Sequence, residues 1–230
     1  MNMFQNVEVI LKNEHQEIGV KNIEGYEHAK ELTASMLTID EFYQACKSLP
    51  IVFAKNEEDG WFAVALLGLE NSNKFVNEDG TWKDNCYIPA YIRRYPFIYV
   101  KNGDELLLGF DAEQKIDKKD AGNRYFFEED GKTSEFVGRV LNFLNDVQKS
   151  SNATKELIEM LDEMKVLEES AINGKNAEGK DISINGFWIV NEEKLNKITK
   201  KNKNKLCEKN YFMPITAHLI SLSNIQNLAQ

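Results

Sequence analysis

Apolar positions change period along the chain. In the first half they alternate with polar ones or cluster in brief blocks, and in the second half they recur at helical spacing. Val7, Val9 and Leu11 stand in the loose alternation of a first strand, and Ile18 to Val20 is expected to pair with it across Asn13-Glu14. A helix start follows. Thr38 and Glu41 match the capping-box spacing, Leu37 and Phe42 occupy hydrophobic-staple positions, and Pro50 marks the stop. Ile51 to Phe53 and Trp61 to Leu67 are apolar blocks bounded by Asn56 to Gly60 and by Gly68, which suits buried strands. Lys74 to Trp82 and Tyr125 to Thr133 each place an aromatic-rich segment before Asp-Gly, a tight-turn dipeptide. Asn102-Gly103, between Phe97 to Val100 and Glu105 to Phe110, is a third hairpin signal. A calcium loop needs a longer series of alternating acidic ligands, so shared turn chemistry accounts better for the two Asp-Gly segments.

The helical stripes are Phe136, Val137, Val140, Leu141, Leu144 and Val147, capped by Thr133 or Ser134, and then Leu157, Met160, Leu161, Met164 and Leu167. The polar break Ser150 to Asn152 divides them, predicting two consecutive amphipathic helices. Gly174 to Lys180 reads as a turn-rich connection, and Ile182, Ile184 and Phe187 to Val190 return to strand character. Asn191 can cap a helix through Leu195 and Ile198, and a last helix follows Pro214. The fold class expected is α+β, a single domain with a mainly antiparallel sheet and hairpins in the first half and packed amphipathic helices in the second. A subdomain boundary, if there is one, falls near residue 150.

Charge and cysteine content narrow the function classes. A formal net charge of −9 disfavours a phosphate backbone as general partner, so no nucleic acid is expected. The seven lysines between Lys194 and Lys209 are flanked by Glu192, Glu193 and Glu208 and carry no arginine or aromatic among them, which reads as a solvated helical face. No apolar run is long enough for a membrane span, and the amino terminus offers no signal-peptide pattern. Cys46, Cys86 and Cys207 are odd in number and lack CxxC spacing, against a disulfide framework or zinc site. A cytoplasmic location is expected.

The chain carries no GxGxxG, Walker A, GxSxG or HExxH pattern. Its most distinctive stretch is Tyr87 to Val100, which concentrates two of four arginines, two of four prolines and four of eight tyrosines. Arg93 and Arg94 lie between Tyr91 and Tyr95, and two readings compete. One is a structural ion pair with an acidic residue, and the other is recognition of a carboxylate, phosphate or acidic sugar by a guanidinium fork aided by tyrosine hydroxyls. On a helical turn adjacent side chains diverge by about 100°. One arginine is therefore expected to be buried on Asp or Glu, the other to reach a concave surface beside Tyr91 or Tyr95.

His218 lies on the apolar stripe of the last helix, as a packing residue or as a general base or metal ligand. His15, in a turn, carries the same two readings, and His28 is expected at the surface. Cys86 reads as a buried, inert thiol. Trp61 and Trp188 fall in core strands, while Trp82, after a hairpin turn, is the tryptophan expected to be exposed and able to join Tyr91 and Tyr95 in a saccharide surface.

Several blocks together carry a family resemblance: PIVF (Pro50 to Phe53), AVALLGLENSNKFVNEDGTW (Ala63 to Trp82), YIPAYIRRYPF (Tyr87 to Phe97), EDGKTSE (Glu129 to Glu135), INGFWIVNEEKL (Ile184 to Leu195) and AHLISLSNI (Ala217 to Ile225). In these the chain resembles the SapC family, named from bacterial surface-array loci. The resemblance implies an accessory role in surface-layer (S-layer) biology and brings no catalytic residues or cofactor with it. Combined with the arginine segment, it leads to a binding or assembly module for an acidic ligand, glycan or polypeptide through Arg93, Arg94, Tyr91 and Tyr95, with a surface-layer protein, acidic small molecule or glycan as partner. The alternative is an enzyme modifying a surface protein or its glycan, with His218 or His15 in acid-base or metal chemistry. No cofactor is expected, and a metal ion stays open under that alternative. Because surface-array proteins can leave by leaderless routes, export to the cell surface stands beside the cytoplasmic expectation.

Overall fold

The computed structural model describes residues 3–57, 60–69, 72–175 and 181–228. Its strands in chain order are β1 (Val7–Val9), β2 (Ile18–Val20), β3 (Ala34–Leu37), β4 (Ile51–Asn56), β5 (Gly60–Leu66), β6 (Phe97–Asn102), β7 (Glu105–Asp111), β8 (Lys115–Asp117), β9 (Leu167–Lys175) and β10 (Asp181–Val190). The helices are α1 (Lys12–His15), α2 (Phe42–Ala45), α3 (Ala90–Arg93), α4 (Glu135–Glu163), α5 (Glu192–Asn196), α6 (Lys200–Glu208) and α7 (Phe212–Ser221). The chain is α+β, as expected, with antiparallel sheets in the orders β3-β5-β4-β10-β9, β1-β7-β6 and β2-β8. Most of the connection Gly174 to Lys180 lies outside the described residues.

The apolar blocks pair as the pattern dictates: β4 lies against β5 with Ile51 opposite Ala65 and Phe53 opposite Ala63. β6 and β7 turn at Gly103, whose φ of 61° suits a residue without a Cβ. The pairing of Ile18 to Val20 with the first strand is not found. β1 pairs with β7, and β2 pairs with β8. The cause is His15, whose ring is buried edge-on against Phe110 and Phe126 and draws the connection into a helical turn, with His15 N–H donating to the Leu11 carbonyl at 2.9 Å.

The Asp-Gly turns have the expected chemistry and less strand than expected. Gly80 and Gly131 have φ of 81° and 76°, and the preceding aspartates accept from the backbone of Thr81 and Lys132. Pairing on either side is confined to the bridges Val76 to Trp82 and Phe127 to Thr133.

The two predicted helices are one. α4 runs for 29 residues from a Ser134 cap that accepts from Val137 N–H, straight through Ser150 to Asn152. Ser150, with Thr154 one turn further on, docks the start of the Thr38 helix. Thr154 Oγ1 donates to the Ser150 carbonyl at 2.6 Å and accepts from Ile39 N–H at 2.7 Å, while Ser150 Oγ accepts from Asp40 N–H at 3.4 Å. They satisfy backbone donors that a helix start leaves free. The first half of α4 gives Val137 and Leu144 to a core with Val20, Phe97, Phe110 and Phe126. Its second half gives Leu157, Ile158 and Leu161 to a larger core with Phe42, Phe53 and Ile215.

Candidate functional site

The site begins at the buried carboxylate of Glu41. Its Oε2 accepts from both N–H and Oγ1 of Thr38 at 2.8 Å, completing the capping box. Its Oε1 accepts from Ala90 N–H at 2.6 Å and from the Tyr87 hydroxyl at 3.0 Å, which fixes the start of α3 and hence the arginine pair. Burial, and next the Glu41 charge, push Tyr87 up to about 12, so this phenol stays a neutral donor.

Neither Arg93 nor Arg94 is paired with Asp or Glu among the described residues, contrary to the expected bridge. The exposed Arg93 donates from Nε to the Ile88 carbonyl at 3.0 Å and from Nη2 to the Tyr87 hydroxyl at 3.3 Å, reaching Glu41 only through that phenol. Its guanidinium also lies 5.5 Å from the Phe143 ring. Arg94 is half-buried, stacked 3.7 Å over Tyr91 and 5.5 Å from Phe4, and its buried Nε has no hydrogen-bond partner. Burial holds its pKa below the ordinary guanidinium value. Aromatic faces flank both cations.

Both line a cavity of about 330 Å³ that also contains Arg124 and Arg139, so all four arginines of the chain meet there. Lys21 adds a fifth cation, Val20, Phe97, Phe136, Val140 and Phe143 form apolar walls, and among the described residues the lining contains no carboxylate. Arg139 is held by Glu135 at 2.6 Å, an exposed i,i+4 pair. Arg124 comes from the turn after β8, and its buried Nε is also without a partner. Gly19 allows β2 to lie close under that turn, since a Cβ there would stand 2.7 Å from the Arg124 carbonyl oxygen and 2.5 Å from Ala121 Cβ.

Tyr95 forms part of the wall. Its hydroxyl donates to the buried Asp111 at 3.1 Å and accepts from Gln114 Nε2 at 3.1 Å, and burial pushes its pKa up to about 12. On its other side is a second cavity, of about 440 Å³, shared with His28, Glu27, Glu31 and Glu113. His28 is half-buried rather than at the surface, because its ring stacks on Tyr95 with centroids 4.3 Å apart, and burial lowers its pKa. Tyr91 is the platform beneath Arg94 and does not line the arginine cavity. It faces a groove with Met36 and Phe62.

The remaining candidates lie elsewhere. His218 is fully buried, donating from Nδ1 to the Ile51 carbonyl at 2.9 Å and accepting at Nε2 from Val190 N–H at 3.0 Å. Its ring stacks on Phe53, and burial lowers its pKa to about 4. His15 accepts from Leu11 N–H at Nδ1 and donates from Nε2 to Glu8, which also holds Lys115. Lys115 and then His15 hold the Glu8 carboxyl below the usual carboxylate range. Trp82 is buried against Phe75 and Tyr26, not exposed as expected, because the Val76 bridge folds its turn onto the large core. Trp61 and Trp188 pack edge to face at 5.2 Å. Cys86 is half-buried, and burial pushes its thiol up.

Arg124, Arg139 and the phenylalanine walls were not singled out by their sequence context. The available signal was scarcity. A chain with 28 basic residues uses arginine only four times, and all four serve one cavity.

Among the described residues no group of three or more His, Cys, Asp or Glu side chains is placed to hold a metal ion, and no helix is long and apolar enough to cross a membrane. No curated protein and no solved structure matches the chain. A family model, SapC, matches residues 10–228 and so takes in every element from α1 onward, the arginine cavity included; the chain belongs to the SapC family.

Proposed function

We propose that this SapC protein is a binding or assembly module in surface-layer biology, and that its arginine cavity takes up the acidic group of a polypeptide, glycan or small molecule. The observation that carries this reading is the convergence of four arginines on one concave, carboxylate-free site in a chain of net charge −9. Of the arginines there only Arg139 has a carboxylate partner among the described residues, and cations gathered with so little counter-charge repel one another until an anion joins them. The histidines favour binding over acid-base chemistry, since both ring nitrogens of His218 and of His15 are engaged in hydrogen bonds.

Calorimetric titration of the whole chain with glucuronate, an acidic peptide and inorganic phosphate, at low and at raised salt, tests the reading. At least one should bind, weaken as salt rises, and lose most of its affinity in Arg94→Gln or Arg124→Gln. Binding that ignores salt and both substitutions would place the ligand somewhere else.

A further inference from the structure

The charge and shape of the arginine cavity narrow its ligand further, on the reading that this cavity binds an anion. Five cationic side chains line it, and among the described residues only Arg139 has a carboxylate partner. A carboxylate offers two oxygens and one charge, enough for a single guanidinium fork. A phosphate monoester offers three terminal oxygens and close to two charges, enough to engage several forks at once. Arg93, Arg94 and Arg124 have no carboxylate partner among the described residues, so at least three guanidinium groups of the lining stand without a fixed counter-charge.

The walls add a second requirement. Phe97, Phe136 and Phe143 with Val140 form an apolar surface that a bare inorganic ion would leave uncovered. The volume of about 330 Å³ is at the lower end of small-molecule sites and accommodates one ring with its phosphate. We infer that the cavity binds a phosphate monoester dianion carried on a single aromatic ring, with the guanidinium groups on the phosphate and the ring on the phenylalanine walls.

The test is titration of the whole chain with phenyl phosphate, phenyl sulfate, benzoate and inorganic phosphate. Phenyl sulfate has the same shape and a single charge at every working pH. At about pH 8, phenyl phosphate should bind about tenfold or more tightly than each of the others, and its advantage over phenyl sulfate should shrink at about pH 5 as the phosphate takes up a proton. This comparison uses the unmodified protein, so it holds even where an arginine variant fails to fold. Equal binding of phenyl phosphate and phenyl sulfate with matching pH profiles would overturn the dianion while sparing the anion-binding reading. Inorganic phosphate binding as tightly as phenyl phosphate would overturn the aromatic carrier. If none of the four binds, the inference fails, and the titrations with glucuronate and acidic peptide then decide the wider reading. A capped phosphotyrosine binding more tightly than phenyl phosphate would assign the group to a polypeptide and the reverse to a small molecule, either result supporting the same chemistry.

Discussion

Both backbone groups of Ile51 are held by side chains of α7: its carbonyl accepts from His218 Nδ1 at 2.9 Å and its N–H donates to Ser221 Oγ at 2.9 Å. Trp188 pairs with Phe53, so Val190 falls opposite Ile51 on the neighbouring strand. The imidazole stands between them, accepting from Val190 N–H and donating to the Ile51 carbonyl. It replaces the ladder hydrogen bonds that β4 and β10 would otherwise make there.

His218→Leu fills the space and leaves two buried backbone groups unpaired, so it should cost about 2 to 4 kcal/mol. Urea denaturation of the variant measures this. An unchanged midpoint would mean that simple packing is all the ring provides.

The same ring sets a pH dependence. His218 titrates near 4 when folded against its ordinary 6.5, so the unfolded chain binds the proton first as pH falls. The contribution is whole above about pH 6.5 and is lost on the way down to about pH 4, amounting to at most about 3 kcal/mol. His28, lowered by burial, acts in the same direction. Comparing wild type with His218→Leu across that window isolates the effect. If the two curves run parallel, His218 is not its source.

Arg94 should show a trade between stability and binding. Arg94→Met keeps an apolar stem over Tyr91 and Phe4 while removing an uncompensated charge and an orphaned donor, so it should raise stability by about 1 kcal/mol at low salt and weaken anion binding. Thermal unfolding and titration of this one variant check both halves. A loss of stability would identify Arg94 as a structural clamp.

Glu41 is the anchor of the arginine turn. Glu41→Gln preserves size but turns an amide N–H₂ toward donors on one side, and the loss of charge-assisted hydrogen bonds should cost about 2 to 4 kcal/mol. Tyr87 and Arg93 should shift with α3, so the affinity for anions should fall as well. A variant that melted early yet bound normally would show that the turn is held by something else.

Much of this fold was legible because local chemistry and tertiary packing agree in it. Thr38 and Glu41, Asn102-Gly103, and the blocks at Ile51 and Trp61 do what their patterns require. Several of the failures share a cause, which is that polar residues found backbone partners that their sequence context does not show. Ser150 to Asn152 reads as a break because nothing local shows that Ser150, with Thr154 a turn further on, caps the Thr38 helix more than a hundred residues away. His218 reads as ambiguous for the same reason, its partner Ile51 lying far off in the sequence. At the site, Arg93 and Arg94 were visible as an adjacent pair. Arg124 and Arg139 came to them through the turn after β8 and the first half of α4, a convergence that only the fold creates.

A helix of 29 residues rises about 43 Å from end to end. The first half of α4 carries Phe136, Arg139 and Phe143 into the arginine cavity, and the second half is tied through Thr154 to Ile39, in the turn after β3, and to the five-stranded sheet through Asp162, which accepts from Trp61 Nε1. A ligand that damps motion at one end therefore loads a continuous hydrogen-bonded rod seated in both cores. Occupancy of the cavity should then register as slower amide exchange around Ile39 and Trp61, far from the anion itself.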